Sequence, residues 1–144
     1  MVLELTEHAL IEEEAASEAL NRLHEAGAAI AIDDFGVGYS SISYLHRFRC
    51  IDALKIDRSF VGSIVDDDRT HALVDSVIAM ARAFDAIVVA EGIEDWETFA
   101  TIQSMRCSLG QGFLFGRPST FETAMEFARA GGIRPIGSQL TASS

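Results

Sequence analysis

Five residues with reactive side chains stand at or near the ends of apolar runs. Ala29-Ile30-Ala31-Ile32 stops at Asp33-Asp34, followed by Phe35, Gly36 and Gly38. Leu54-Lys55-Ile56-Asp57 places a cation and an acid at the end of a second run, and Ile87-Val88-Val89-Ala90 ends at Glu91. Two adjacent ionised carboxylates repel each other, and both stay charged most easily with a divalent cation between them. Lys55 is the only lysine, the other ten basic residues being arginine. Arginine spreads a permanent charge over a planar fork. Lysine is a compact point charge whose pKa can move, so it can orient or deprotonate a water. Glu4, early in the chain, and Gln111, between Gly110 and Gly112, complete the polar set. Oxygen donors of this kind suit Mg²⁺, Mn²⁺ or Ca²⁺ rather than zinc or copper. The plainer reading is a set of charged strand ends with a snorkelling or ion-paired lysine.

The runs that carry these residues read as strands. Unbroken apolar stretches of four residues are expected where a strand is covered on both faces. Val2 to Thr6 opens as a strand and passes into a helix that Thr6 or Glu7 can cap. Leu10, Ala15, Ala19 and Leu23 form its apolar stripe, Glu12 to Glu14 its solvated charges, and Gly27 its end. Ser40 and Ser41 start a short helix with Ile42, Leu45 and Phe48 on one side. Ile51 to Ile56 is a strand, Val61 and Ile64 mark a helical turn, and Asp66-Asp67-Asp68 leads into an amphipathic helix through Leu73, Val74, Val77, Ile78, Ala81 and Phe84. Trp96, Phe99 and Ile102 predict the inner face of the next helix. Gly110 to Phe115 predicts a short strand closed by Arg117-Pro118. Ser119 or Thr120 caps a last helix with Ala124, Met125 and Ala128, ending at Gly131-Gly132.

Buried strands alternating with amphipathic helices imply a parallel sheet. Polar residues contributed by every strand end in turn favour the wall of a βα barrel over an open sheet, which gathers them at one switch point. The expected fold is a partial TIM-type (β/α) barrel of the α/β class, with about five of eight βα units. Residues 1–133 form the domain and residues 134–144 a loose polar tail.

Composition narrows the function. The chain has 144 residues, 49% hydrophobic, and a formal net charge of −11. It is long enough for one substantial core. Its acidity argues against loose attachment to DNA or an anionic membrane, yet a bound metal can reverse the local sign for a small phosphate ligand. No run reaches the roughly 18–20 residues of a membrane span, and no signal peptide opens the chain, so a cytoplasmic setting is expected. Cys50 and Cys107 lack metal-ligand spacing and read as reduced packing thiols. His8, His24, His46 and His71 likewise lack ligand spacing and receive no role.

The motifs occur in a telling order: Leu3-Glu4-Leu5-Thr6-Glu7, Asp33-Asp34-Phe35-Gly36-Val37-Gly38-Tyr39-Ser40-Ser41, Leu54-Lys55-Ile56-Asp57-Arg58-Ser59-Phe60-Val61, Ala90-Glu91-Gly92-Ile93-Glu94 and Gln111-Gly112-Phe113-Leu114-Phe115-Gly116-Arg117-Pro118. Together, from Val2 to about Pro118, they resemble the EAL-domain family of bacterial cyclic di-GMP phosphodiesterases. The resemblance implies metal-dependent hydrolysis of cyclic di-GMP to linear pGpG with two Mg²⁺ or Mn²⁺ ions. It implies Glu4 as a ligand of the first metal, Asp33 bridging both, and Asp34 with Glu91 on the second. Lys55 would contact the nucleophilic water and Gln111 support the water and metal network. Glu7 would anchor the Gly36-to-Ser41 loop, Asp57 help hold Lys55, and Arg117 with Pro118 lie near the guanine side of the ligand.

Two departures concern the loops: Val37 stands where the family usually has threonine, and Phe113 where it often has tyrosine. The family's first three strands, with the Glu-Ala-Leu signature and an asparagine ligand, are not in this sequence. The expectation for the chain by itself is therefore self-association, or completion by an N-terminal segment, with an upstream sensor or GGDEF-type domain in the full-length protein. Two other readings stand beside the enzyme: a catalytically silent EAL fragment acting as a binding or interaction module, and an unrelated barrel enzyme using Lys55 as a Schiff-base or proton-abstracting lysine.

Overall fold

The computed structural model describes residues 1–6, 16–37, 48 and 50–129. The elements are β1 (Val2–Thr6), α1 (Ala16–Glu25), β2 (Ala29–Phe35), β3 (Ile51–Ile56), α2 (Arg58–Ser63), α3 (Asp68–Ala83), β4 (Ile87–Ala90), α4 (Trp96–Ser104), β5 (Leu109–Gly110) and α5 (Phe121–Arg129). The five strands form one parallel sheet in the order β1-β2-β3-β4-β5. Spatial order follows chain order without a reversal. That is the sequence of a barrel wall and lacks the switch point of a doubly wound sheet.

One face of the sheet carries the core. Ile30, Ile32, Leu54, Ile56, Val88 and Ala90 are all buried there, and α1 and α3 pack against β2, β3 and β4. The buried face of α3 is Val74, Val77, Ile78 and Ala81. Leu73, expected on that face, is partly exposed. Asp57, Asp67 and Asp95 accept hydrogen bonds from Ser59, Arg69 and Thr98 backbone N–H groups, which caps α2, α3 and α4. Each of the helices α1, α3 and α4 ends at a left-handed residue, Gly27 (φ 90°), Asp85 (φ 58°) and Arg106 (φ 60°), before the chain re-enters the sheet.

Two further local expectations need correction. The segment after Gly110 is not strand: β5 is Leu109–Gly110 alone, and residues 112–115 turn back, with Leu114 N–H donating to Ile93 O at 3.0 Å. Backbone pairing, not the apolar pattern, decides this segment. Trp96 is 45% exposed, and its ring meets Phe99 edge-on rather than entering the core. Ile102 is buried as expected and Phe99 packs against the core, while Thr98 takes the buried place expected of Trp96. The start of the first helix, the helix from Ser40, Gly131-Gly132 and the tail lie outside the described residues. Phe48 is described, and is buried as expected. Cys50 is buried and Cys107 half-buried, both free, and burial pushes both thiols up, as suits packing residues.

Candidate active site

Register brings the polar residues to one rim. Glu4 pairs with Ala31, Ala31 with Ala53, and Lys55 with Val89. Side chains two residues apart share a face of a strand. Glu4, Asp33, Lys55 and Glu91 therefore project from the face opposite the helix-covered core, toward the C-terminal ends of β1 to β4. Between β2 and β3 the pairing goes from Ile32–Leu54 to Phe35–Ile56, so Asp33 and Asp34 together stand opposite Lys55. That is a bulge, two residues against one, which bends the strand and re-aims its side chains. Asp34 takes φ 53°, a left-handed conformation that aspartate tolerates better than most residues, and its N–H donates to Asp33 Oδ1 at 3.1 Å. The extra residue returns Phe35 to the core, where it is 4% exposed.

Lys55 is 8% exposed and is the centre of the cluster. Its Nζ lies 2.8 Å from Glu91, 3.0 Å from Glu4 and 3.2 Å from Asp33. Burial pulls the ammonium's pKa down, but the hydrogen bonds to Glu91, Glu4 and Asp33 and the charge of Glu91 outweigh it. The result lies well above the ordinary lysine value. Lys55 is held as a cation, so it can donate a hydrogen bond but is a poor base or carbonyl nucleophile. This removes the physical basis of the Schiff-base reading.

Asp34 is not drawn to Lys55; its side chain is exposed beside the cluster. Asp57, expected to help hold Lys55, instead caps α2, and its carboxyl lies below the usual range because Ser59 donates to it. Gln111 N–H donates to Ala90 O at 2.8 Å, which fixes its backbone beside Glu91. Arg117 stacks its guanidinium 4.6 Å from the centre of the Phe113 ring. Glu7 lies outside the described residues.

A cavity of about 300 Å³ joins Glu91 and Gln111 to Asp57, Arg58, Glu94 and Phe113. A larger one, about 600 Å³, takes Gln111 with Gly110, Phe115, Arg117 and Thr123 but none of the clustered carboxylates. The smaller cavity reaches the charged groups and is the candidate site. Sequence reasoning gave no role to two of its residues, Arg58 and Glu94. Their signal was their place inside the motifs that carry Asp57 and Glu91. Gly92 brings Arg58 in: at φ 75°, a Cβ on Gly92 would lie 2.5 Å from Arg58 Cβ.

Among the described residues no three His, Cys, Asp or Glu side chains already surround a point fit for a metal. The point shared by three carboxylates is taken by Lys55 Nζ. The donor chemistry nevertheless fits a hard cation: every ligating atom is a carboxylate oxygen, and three carboxylates facing one ammonium leave an excess of two negative charges.

The comparisons with known proteins point the same way. A family model described as the EAL domain matches residues 1–118. The chain is 43% identical over 129 residues to the cyclic di-GMP phosphodiesterase NbdA of Pseudomonas aeruginosa, covering 89% of this chain and 16% of that protein. It superposes on the phosphodiesterase PaMucR in its c-di-GMP complex with a TM-score of 0.80 and 37% identity, over 85% of this chain and 50% of that one. Klebsiella pneumoniae BlrP1, solved as manganese and as calcium complexes with cyclic di-GMP, matches with a TM-score of 0.76 and 40% identity over 81% of this chain and 30% of that one. The chain thus spans half or less of the length of these relatives. No helix among the described residues is long and apolar enough to cross a membrane.

Proposed function

The chain belongs to the EAL domain family, and from that membership we propose that it carries the catalytic rim of a phosphodiesterase that opens cyclic di-GMP to linear pGpG. The observation that carries the reading is the convergence of Glu4, Asp33 and Glu91 on Lys55 at one rim of the parallel sheet.

In this reading Glu4, Asp33, Asp34 and Glu91 would hold Mg²⁺ or Mn²⁺ in a two-metal site. Bound there, a divalent cation polarises a phosphate oxygen and makes water a stronger nucleophile. Lys55, kept protonated by its three partners, would orient the attacking water once a bound metal drew one of those carboxylates away and freed an N–H to donate. Gln111 lines the same cavity as Glu91 and supports that water. The water oxygen bonds to phosphorus, the bond from phosphorus to the ribose oxygen breaks, and that oxygen takes a proton. Arg58, at the cavity wall, is placed to meet a ligand phosphate. Arg117 over Phe113 offers a flat cationic surface near the guanine side.

The proposal extends to the rest of the protein. β1 and β5 each lack a second neighbouring strand among the described residues, and an additional N-terminal segment or a second copy would supply one. A sensor or GGDEF-type domain upstream would govern access. The test is the intact protein with cyclic di-GMP and Mg²⁺ or Mn²⁺, the product read by chromatography as the linear dinucleotide. No turnover with either metal would defeat the enzymatic reading. Micromolar binding without turnover would favour a silent binding module. That second reading draws support from the three carboxylates already spent on Lys55.

A further inference from the structure

The backbone of Gln111 is gripped from both sides by the residues that bracket Glu91. Ala90 O accepts from Gln111 N–H at 2.8 Å, and Ile93 N–H donates to Gln111 O at 3.1 Å. Ile93 O in turn accepts from Leu114 N–H at 3.0 Å. Ile93 itself is fully buried. It lies in a seat made by the two glycines that flank Gln111. A Cβ on Gly112 would overlap the carbonyl oxygen and the nitrogen of Ile93, and a Cβ on Gly110 would come within 2.7 Å of Ile93 Cδ1. Neither glycine has the left-handed φ that would otherwise explain it. Close approach to the Ile93 backbone is the physical reason for Gly112, and at Gly110 the near neighbour is the tip of the buried Ile93 side chain, which has to give if a Cβ is added.

We propose that Ile93, seated between Gly110 and Gly112, is a positioning residue that holds Glu91 and Gln111 in fixed register across the candidate site. The inference rests on the phosphodiesterase reading for its catalytic consequence. Ile93 faces the core and touches no substrate. Its effect passes through the loop of Glu91 on one side and the backbone of Gln111 on the other. A shift of the seat by a fraction of an ångström moves the two groups apart while leaving the rest of the sheet intact.

The test is a compensation cycle in the intact protein. Gly110→Ala presses on Ile93 Cδ1, and Ile93→Val removes that atom. Gly110→Ala is expected to lower kcat about 10-fold or more, with KM within about 3-fold and the unfolding temperature little changed. Adding Ile93→Val is expected to restore kcat to within about 3-fold of the parent. Gly112→Ala meets backbone and has no such rescue, so its kcat is expected to fall ~100-fold. Should Gly112→Ala fail to fold, the Gly110–Ile93 cycle still decides. A double variant no better than the product of the singles, or a kcat loss matched by lost folded protein, would overturn the proposal. Amide exchange at Ile93, Gln111 and Leu114 reads the same cycle without substrate: faster exchange in Gly110→Ala, reversed by Ile93→Val, supports it, and unchanged exchange overturns it. An inactive parent protein would instead count against the phosphodiesterase reading, leaving the exchange cycle to judge the seat.

Discussion

Lys55 Nζ lies 2.8 Å from Glu91, closer than to either carboxylate from β1 and β2. The one lysine of the chain therefore ties β4 to the first two strands through a charge cluster at the rim. Removing it should leave three carboxylates facing one another. Lys55→Ala is expected to cost about 2 kcal/mol without divalent metal, a discounted figure because Glu4 is half exposed. Mg²⁺ or Mn²⁺ should recover part of that loss by replacing the cation. Turnover should fall far more than ligand affinity, since the proposed partner of Lys55 is water. Equal losses in both would argue against that role. The pKa of Lys55 is raised on folding, so its stabilisation is complete below the ordinary lysine value and fades only as pH rises through the higher folded value. The stability gap between parent and variant should thus be flat from about pH 7 to 9.

Calcium should occupy the site without supporting turnover. It is larger than Mg²⁺ and accepts loose coordination, which holds phosphate and water poorly for in-line attack. Chelation should abolish hydrolysis, Mg²⁺ or Mn²⁺ should restore it, and Ca²⁺ should inhibit in competition with them. Calcium-supported rates equal to those with Mn²⁺ would contradict the assignment.

Asp34 should trade stability against activity. It holds φ 53° beside a second carboxylate, and glycine at that position removes both the steric cost and the repulsion. Asp34→Gly is expected to stabilise the fold by up to about 1 kcal/mol and to weaken metal affinity and turnover. A destabilised Asp34→Gly would show that the bulge is not strained by its side chain.

The acids, the lysine and the barrel wall were legible in the sequence because β2, β3 and β4 are short apolar runs with a charged residue near or just after their C-terminal ends, and Glu4 interrupts the apolar residues of β1. The bulge was not. Asp33-Asp34 reads as two strand-end acids, and only the pairing of Ile32 with Leu54 and Phe35 with Ile56 reveals two residues set against Lys55. Register is a tertiary property, and a run of apolar residues does not encode it. The same limit explains Gly110 to Phe115. The apolar pattern suggested a strand, whereas Gly112 lies flush on Ile93 and the chain turns there. Trp96 misled because helical spacing marks a face but not whether its first turn reaches the core. Asp57 read as a partner of Lys55 by proximity in sequence, while its place before α2 made it a cap.

Acid should loosen the N-terminal caps of α3 and α4. Hydrogen bonds from Thr70 and Arg69 hold the carboxyl of Asp67 below its usual range, and Thr98 does the same for Asp95. Folded values below the unfolded ones mean stabilisation that is present above the ordinary aspartate pKa and lost as pH falls through the folded value. Asp67→Asn and Asp95→Asn should therefore lower the unfolding temperature at neutral pH and narrow the gap to the parent in acid. A gap that widens on acidification would reverse the assigned sign.

The 144-residue polypeptide expressed by itself should associate and should be inactive while monomeric. β1 pairs only with β2, and β5 only with β4, among the described residues. Both edges present unpaired parallel backbone, which invites another chain. On the sheet face that carries the rim, Ala31 and Ala53 are buried below the charges, and the exposed apolar side chains lie on the edge strands: Val2 is 64% exposed and Leu109 is 54% exposed. At about 25 cal/mol per Å², some ~400 Å² of such surface left wet corresponds to about 10 kcal/mol, comparable to the stability of a whole domain. Association through the two edges, or the N-terminal strands of an EAL domain supplied in trans, would cover it. Glu4 sits on the β1 edge at 51% exposure, so the same covering would also enclose the charge cluster. Light scattering at micromolar concentration should show dimers or larger species, and adding the N-terminal strands of an EAL domain in trans should reduce them and raise turnover together. A cooperatively unfolding monomer would refute the association. Metal-dependent hydrolysis of cyclic di-GMP by that monomer would show that the five strands hold a complete site.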